Sequence, residues 1–138
     1  MSSEFNENVI AEFRANGGRL GGDLATTMII LIHHIGARSR TERVTPLAYG
    51  THPDGRLVIA ASNGGALTHP AWYRNLKEHP VIDVELGTQT IPVLAEEVPD
   101  AEHAALWPKL VAASPALGEF QAKTARRIPL FTLTRIHP

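Results

Sequence analysis

Arg38, Arg40 and Arg43 crowd into one short segment that starts at His33-His34-Ile35-Gly36-Ala37. A guanidinium's planar fork donates two parallel hydrogen bonds to neighbouring oxygens of a phosphate or carboxylate. Arg38 and Arg43, with the Ser39 hydroxyl and nearby backbone N–H groups, could therefore hold an anion. On composition alone, a solvated loop with arginines facing water is the commoner outcome. Ser62-Asn63-Gly64-Gly65 follows a strand-like run, and glycine there permits positive φ and lets a ligand approach the backbone. An ordinary strand-to-helix loop would read the same. Pro70-Ala71-Trp72-Tyr73-Arg74-Asn75 opens a helix whose large ring and polar neighbours could flank a planar heterocycle and bond its edge. Alternatively, Trp72 and Leu76, at i and i+4, are simply that helix's core face. Taken together, the three pieces suit an anionic, ring-bearing ligand.

The remaining chain must position these groups. At 138 residues it is long enough for one domain with a sizeable core. Residues 1–20 supply an amphipathic helix, with Phe5, Val9, Ile10 and Phe13 at helical spacing, and a Gly-rich connector. Glu4, Glu7 and Glu12 against Arg14 give that helix the wrong charge for anionic lipid, so packing on the body or covering a pocket is expected. Thr26 to Ile32 is β-branched and apolar, as in a strand buried on both faces. Val44–Tyr49 and Arg56–Ala61 should form a hairpin about Pro53-Asp54-Gly55. Pro70 should open a helix running to Glu78, where His79-Pro80 breaks it. Val81–Leu86 and Thr90–Val98 read as strands, with Pro92 marking an edge or bulge. Asp100 should cap a helix through Ala113, with Ala104, Leu106, Leu110 and Val111 as its apolar stripe. A short helix from Pro115 to Lys123 and a strand from Ile128 to Ile136 complete the chain. About six short strands without βαβ alternation predict an α+β fold, a mainly antiparallel split β-barrel with appended helices.

Composition excludes several functions. A net charge of −1 exerts no global pull toward nucleic acid or anionic membrane. The chain has no cysteine, which removes disulfide and thiolate chemistry. The N-terminus lacks a signal-peptide pattern, and the longest apolar run, Met28–Ile32, is too short to span a bilayer, so a cytoplasmic location is expected. The seven histidines include no His-Glu-x-x-His spacing, and His33-His34 on a strand would point to opposite faces, so no metal is expected. His52, His69, His79, His103 and His137 are scattered over turns and element ends. Nucleophile-elbow, phosphate-loop and dinucleotide motifs are absent from the sequence.

The order of segments resembles the deazaflavin-dependent nitroreductase family. The match is carried by Glu12-Phe13-Arg14-Ala15-Asn16-Gly17-Gly18, then Gly36-Ala37-Arg38-Ser39 with Arg43, Thr45-Pro46-Leu47 and Tyr49. It continues with Ala60 to Gly65, His69 to Leu76, Trp107-Pro108-Lys109-Leu110 and Arg127-Ile128-Pro129. The resemblance implies an FMN-binding type of split barrel holding coenzyme F420, an 8-hydroxy-5-deazaflavin with a phosphate and γ-glutamyl tail. It also implies hydride transfer to a quinone, nitro compound or enone. By position, Arg38, Ser39 and Arg43 fall on the phosphate, while Thr45, Pro46, Ala61, Ser62, Asn63, Gly64, Ala71, Trp72 and Asn75 fall around the ring. Ala37 and Asn63 stand where basic residues are common in relatives. Ser114, Leu117 and Phe120 replace a tyrosine-bearing segment of some relatives and imply a different acceptor pocket.

No residue stands out as a general acid; Ser62, Tyr49 and Tyr73 are candidate proton donors beside solvent. The nearest rival is an FMN-binding oxidoreductase or a non-catalytic flavin-binding protein of the same fold. A barrel binding single-stranded nucleic acid needs exposed aromatics interleaved with cations, a pattern missing here. The expected partner is a small hydride acceptor, with the chain a monomer or homodimer.

Overall fold

The computed structural model describes residues 3–25 and 27–136; Thr26 and His137, which figured in the expectations above, lie outside the described residues. The element order is α1 (Ser3–Ala15), β1 (Ile29–Ile35), β2 (Glu42–Ala48), β3 (Gly50–Thr51), β4 (Leu57–Ala60), α2 (Ala71–Glu78), β5 (Val81–Leu86), β6 (Gln89–Glu97), α3 (Asp100–Ala113), α4 (Pro115–Ala122) and β7 (Leu130–Arg135). The strands form one seven-stranded sheet in the order β2-β1-β5-β6-β7-β4-β3, and every neighbouring pair is antiparallel. β2 and β3 occupy opposite edges yet are separated in sequence by Tyr49 alone. A flat sheet seven strands wide cannot satisfy that link, because adjacent strands lie about 4.8 Å apart. The sheet therefore curls until its edges approach, giving the α+β split barrel expected from the strand pattern.

Several expected details are corrected. The run Val44–Tyr49 does not pair with Arg56–Ala61; β2 folds back on β1, with Ile35 opposite Glu42 and Ile29 opposite Ala48. The Pro53-Asp54-Gly55 turn is real, but it joins the short β3 to β4, with Gly50 opposite Val58. Strand β1 extends through His33, His34 and Ile35, so the cationic loop begins at Gly36. Pro92 marks neither an edge nor a bulge, since β5 and β6 stay in continuous register from Val81–Leu94 to Leu86–Gln89. Its carbonyl accepts from the Ile136 N–H, so the missing N–H falls just past the end of β7. Asp100 is not a cap: Pro99 precedes the helix in an extended conformation, and Asp100 instead pairs with Arg127. The buried stripe of α3 is His103, Leu106 and Leu110, leaving Ala104 exposed.

Alternation along the strands sorts the core in two. Ile30, Ile32, Ile59, Val84, Phe131 and Leu133 face one cluster, joined by Trp72 and Leu76 of α2. Val58 and Leu130 face the other, capped by Leu106 and Leu110 of α3. Helix α1 buries Val9 and Phe13 and is tied to β5 by the Arg14–Glu85 pair, 2.6 Å. It packs on the body, one of the two roles anticipated for it.

Candidate functional site

The cationic loop is a built turn. The Gly36 N–H donates to Thr41 O and the Arg40 N–H donates to Gly36 O, both at 2.9 Å, while the Thr41 N–H donates to Ser39 Oγ. Arg40 closes the turn in the left-handed region, φ 58°. Opposite this loop runs one face of α2. Helical spacing sets Ala71, Arg74, Asn75 and Glu78 on a common stripe, and they line a cleft of about 850 Å³ with Gly36, Ala37, Arg38, Ser39 and Arg43. His69, Pro70, Tyr73 and Lys77 complete the lining.

Charge sets this cleft apart. Arg14, Arg56 and Arg127 each engage a carboxylate. Arg38, Arg43 and Arg74 line the cleft with no ion pair or side-chain hydrogen bond among the described residues. Three cations without a partner among the described residues, against the single carboxylate of Glu78, concentrate positive potential in this concavity and favour an anionic ligand.

Beneath the loop lies a buried polar chain. The Ala37 N–H donates to Asn75 Oδ1 at 2.9 Å, Asn75 Nδ2 meets His34 Nδ1 at 2.9 Å, and His34 Nε2 meets Thr45 Oγ1 at 2.8 Å. His34 is 3% exposed and Asn75 5%. Burial, reinforced by the charge of Arg43 and then by His33, lowers the His34 pKa to about 4 and keeps the ring neutral. His33 points the other way, to Glu85 at 2.6 Å, as strand alternation requires.

A second brace holds the loop before α2. The Arg126 guanidinium donates to Ala66 O (3.0 Å), Ala61 O (3.2 Å) and Ser62 O (2.8 Å), and meets His69 Nδ1 at 2.9 Å. His69 stacks on Tyr73 with ring centroids 4.2 Å apart. Its pKa is lowered by burial and then by Arg126. Asn63, at φ 49°, ties this loop through its amide to Thr68 O, and Gly64 continues it at φ 64°.

The structure gathers some of the expected residues and separates others. Arg38, Ser39, Arg43, Ala71 and Asn75 share the cleft. Thr45 reaches its floor through His34, whereas Pro46 sits opposite Leu31 on the edge strand β2. Trp72 does not line the cleft: it is 5% exposed and packs at 5.9 Å on Phe131, so the core-face alternative holds for its side chain. Ala61 is fully buried and offers no surface to a ring; what it contributes is a carbonyl to Arg126. Ser62, Asn63 and Gly64 do not line the cleft; Ser62 O accepts from Arg126, and Asn63 and Gly64 sit in the loop that Arg126 spans. Ser114, Leu117 and Phe120 lie outside the cleft, on and just before α4, which packs against α3 and the Asn63–Gly65 turn, with Leu117 against the second core cluster. Tyr49 lines a different cleft, of about 620 Å³, with Met28, Leu20 and Leu86.

Arg74, His34 and Arg126 were not anticipated. Arg74 was readable from the 3.6-residue period once Ala71 and Asn75 were singled out. His34 was hidden because the apolar run ends at Ile32. Arg126 carries no local signal, because its partners are 57 to 65 residues away.

The family model described as F420H(2)-dependent quinone reductase matches residues 6–135. This chain belongs to that family. It is an oxidoreductase of the F420H(2)-dependent quinone reductase family, and its cofactor is coenzyme F420. An F420H(2)-dependent quinone reductase of Mycobacterium tuberculosis (strain H37Rv) is 34% identical over 130 residues, covering 91% of this chain and 86% of that protein. A solved F420-H2 dependent reductase is 36% identical, covers 76% of this chain and 92% of its own, and superposes with a TM-score of 0.66. Another solved relative, described as a domain-swapped dimer, is 30% identical over 92% of this chain and 94% of its own, TM-score 0.68. The partnerless guanidiniums and the cleft volume suit this family's coenzyme, whose tail is anionic and whose size falls within the range of cofactor pockets. No helix among the described residues is long and apolar enough to cross a membrane.

Proposed function

We propose that this member of the family passes reducing equivalents from F420H2 to a small quinone, and that nitro compounds and enones serve as further acceptors. The observation that carries the reading is the convergence of Arg38, Arg43 and Arg74, all without carboxylate partners, on one cleft. When bound, the coenzyme supplies the hydride; the protein contributes position, electrostatics and exclusion of side reactions. Arg38, Ser39 and Arg43 hold the phosphate, and Arg74 extends the cationic wall toward the tail. Asn75 stands at the inner end, where the ring would lie, with Thr45 behind it through His34.

The side chains also limit where the acceptor's proton comes from. The Tyr73 hydroxyl donates to Glu97 at 3.1 Å, and burial followed by that hydrogen bond raises its pKa. Burial likewise raises the pKa of Tyr49, which stands in the other cleft. Tyr73 is committed to Glu97, and Tyr49 and Ser62 lie outside the cleft, which favours solvent as the source of the proton.

The test is to mix the purified chain with F420H2 and a panel of quinones, nitro compounds and enones and follow the return of the oxidised coenzyme's absorbance. Arg38→Ala and Arg43→Ala should each weaken coenzyme binding by about 1–3 kcal/mol, roughly 5- to 150-fold. Coenzyme affinity unchanged in both variants would remove the tail assignment. Oxidation no faster than in protein-free buffer across the panel would remove the activity.

A further inference from the structure

His34 emerges from the structure with a definite job. Asn75 Oδ1 already accepts from the Ala37 N–H, so the same amide can offer only its Nδ2 hydrogens to the imidazole. His34 must then receive at a bare Nδ1 and carry its hydrogen on Nε2. That hydrogen is donated to Thr45 Oγ1, which accepts it and keeps its own hydrogen for another acceptor. Every donor and acceptor in the chain from the Ala37 N–H to Thr45 thus has one permitted direction.

We propose that His34 is a positioning residue: through Asn75 it aims the Ala37 end of the cationic loop at the coenzyme's anion, and through its Nε2 hydrogen it ties that network to Thr45 on β2. This rests on the functional reading of the cleft given above. Three separate elements meet at this one ring, namely β1 carrying His34, β2 carrying Thr45 and α2 carrying Asn75. The loop between β1 and β2 is otherwise held by its own short-range bonds. The partly buried bond from Ala37 to Asn75 is the contact that references it to the opposite wall of the cleft. The charged or titratable groups nearest the ring are Arg43 on β2 and His33 beside it on β1. Both are basic, so the neutral form, with one bare nitrogen, is the one that fits. Were His34 to gain a second hydrogen, Asn75 would have to turn its oxygen toward the ring and set its NH2 against the Ala37 N–H. Two donors would then face each other, and the loop would lose its anchor.

The test uses the full chain labelled with ¹⁵N-histidine, first without coenzyme. His34 should show a protonated Nε2 and an unprotonated Nδ1 from pH 5.5 to 8; the opposite tautomer, or an imidazolium, overturns the proposal. Asn75→Asp replaces the donating NH2 with a carboxylate that keeps accepting from Ala37. Its His34 should then hold hydrogens on both nitrogens at pH 6.5, and an unaltered His34 spectrum in this variant overturns the proposal as well. His34→Phe should expose the Ala37 amide to solvent exchange and weaken F420 binding about tenfold, the loss of one buried hydrogen-bonded partner. Full Ala37 protection with unchanged affinity in a folded His34→Phe chain would also overturn it. The tautomer measurement needs no coenzyme, so it decides the network whatever the parent chain binds.

Discussion

Replacing Arg126 with alanine should loosen the segment between β4 and α2 more than any of its exposed neighbours would. The guanidinium donates to three carbonyls and to one imidazole nitrogen, at 2.8 to 3.2 Å. Two of those bonds, to Ala61 O and Ser62 O, are partly buried, and the other two face solvent. A bond from a charged donor stabilises by about 1.5–3 kcal/mol when dry, and by little when water can take its place. Taking about 1–1.5 kcal/mol for each partly buried bond and a few tenths for each exposed one, the loss is about 2.5–3.5 kcal/mol. For a domain of this size that lowers the melting temperature by roughly 8–17 °C. Arg126→Lys should recover only a minor part, because an ammonium cannot spread over four separated acceptors. Thermal and urea unfolding measure the total, and amide exchange at Gly65 and Ala66 localises it. A change within about 0.5 kcal/mol, or exchange unaltered in that loop, would refute the bracing role.

Three further outcomes follow from the structure. Between pH 6.5 and about 4 an unfolded His34 takes a proton that the buried ring resists, so the unfolded chain binds more protons and stability falls as pH drops through that window. The full effect is about 3 kcal/mol, read as the urea midpoint against pH, and His34→Phe should flatten the parent's slope. Glu85 is held below the usual carboxylate range first by its hydrogen bond from Arg14 and then by His33. Its contribution is present above pH 4.5 and lost as pH falls further, so Glu85→Gln should cost about 1 kcal/mol or less at pH 7 and nothing measurable near pH 3. Gly65, at φ +85°, has no room for a side chain: a Cβ there would meet the Phe120 carbonyl oxygen at 2.8 Å. Gly65→Ala should therefore destabilise the protein by about 2–3 kcal/mol in urea titration, with α4 displaced from the Asn63–Gly65 turn.

Local chemistry was the legible part. Pro70 and the His79-Pro80 break bound α2 to within a residue, and α3 matches its expected span except that Asp100 is its first helical residue and not its cap. Short-range signals failed where partner choice mattered. Pro53-Asp54-Gly55 announces a reversal but not which strands it joins, and β2 found its partner in β1 because a tight loop had already brought the two together. Pro92 was misjudged for a similar reason: whether a missing N–H costs anything depends on where the neighbouring strand stops, which is tertiary information. Within the site, residue type singles out Arg38, Arg43 and Asn75, and the fold brings these three to one cleft. Trp72 misled because a large ring at a helix start satisfies a ligand and a core equally well, and here Phe131 claimed it. Arg126 became visible only once the chain was folded.

The single residue joining β2 to β3 pins the two margins of the sheet to one another. Ala48 and Gly50 flank Tyr49, and two residue steps of extended chain reach only about 7 Å. The barrel's two margins are therefore stapled at that point and diverge away from it, like the blades of shears from their rivet. Lengthening the rivet by even one or two inserted residues would let the margins drift apart and free the short β3 from its place beside β4.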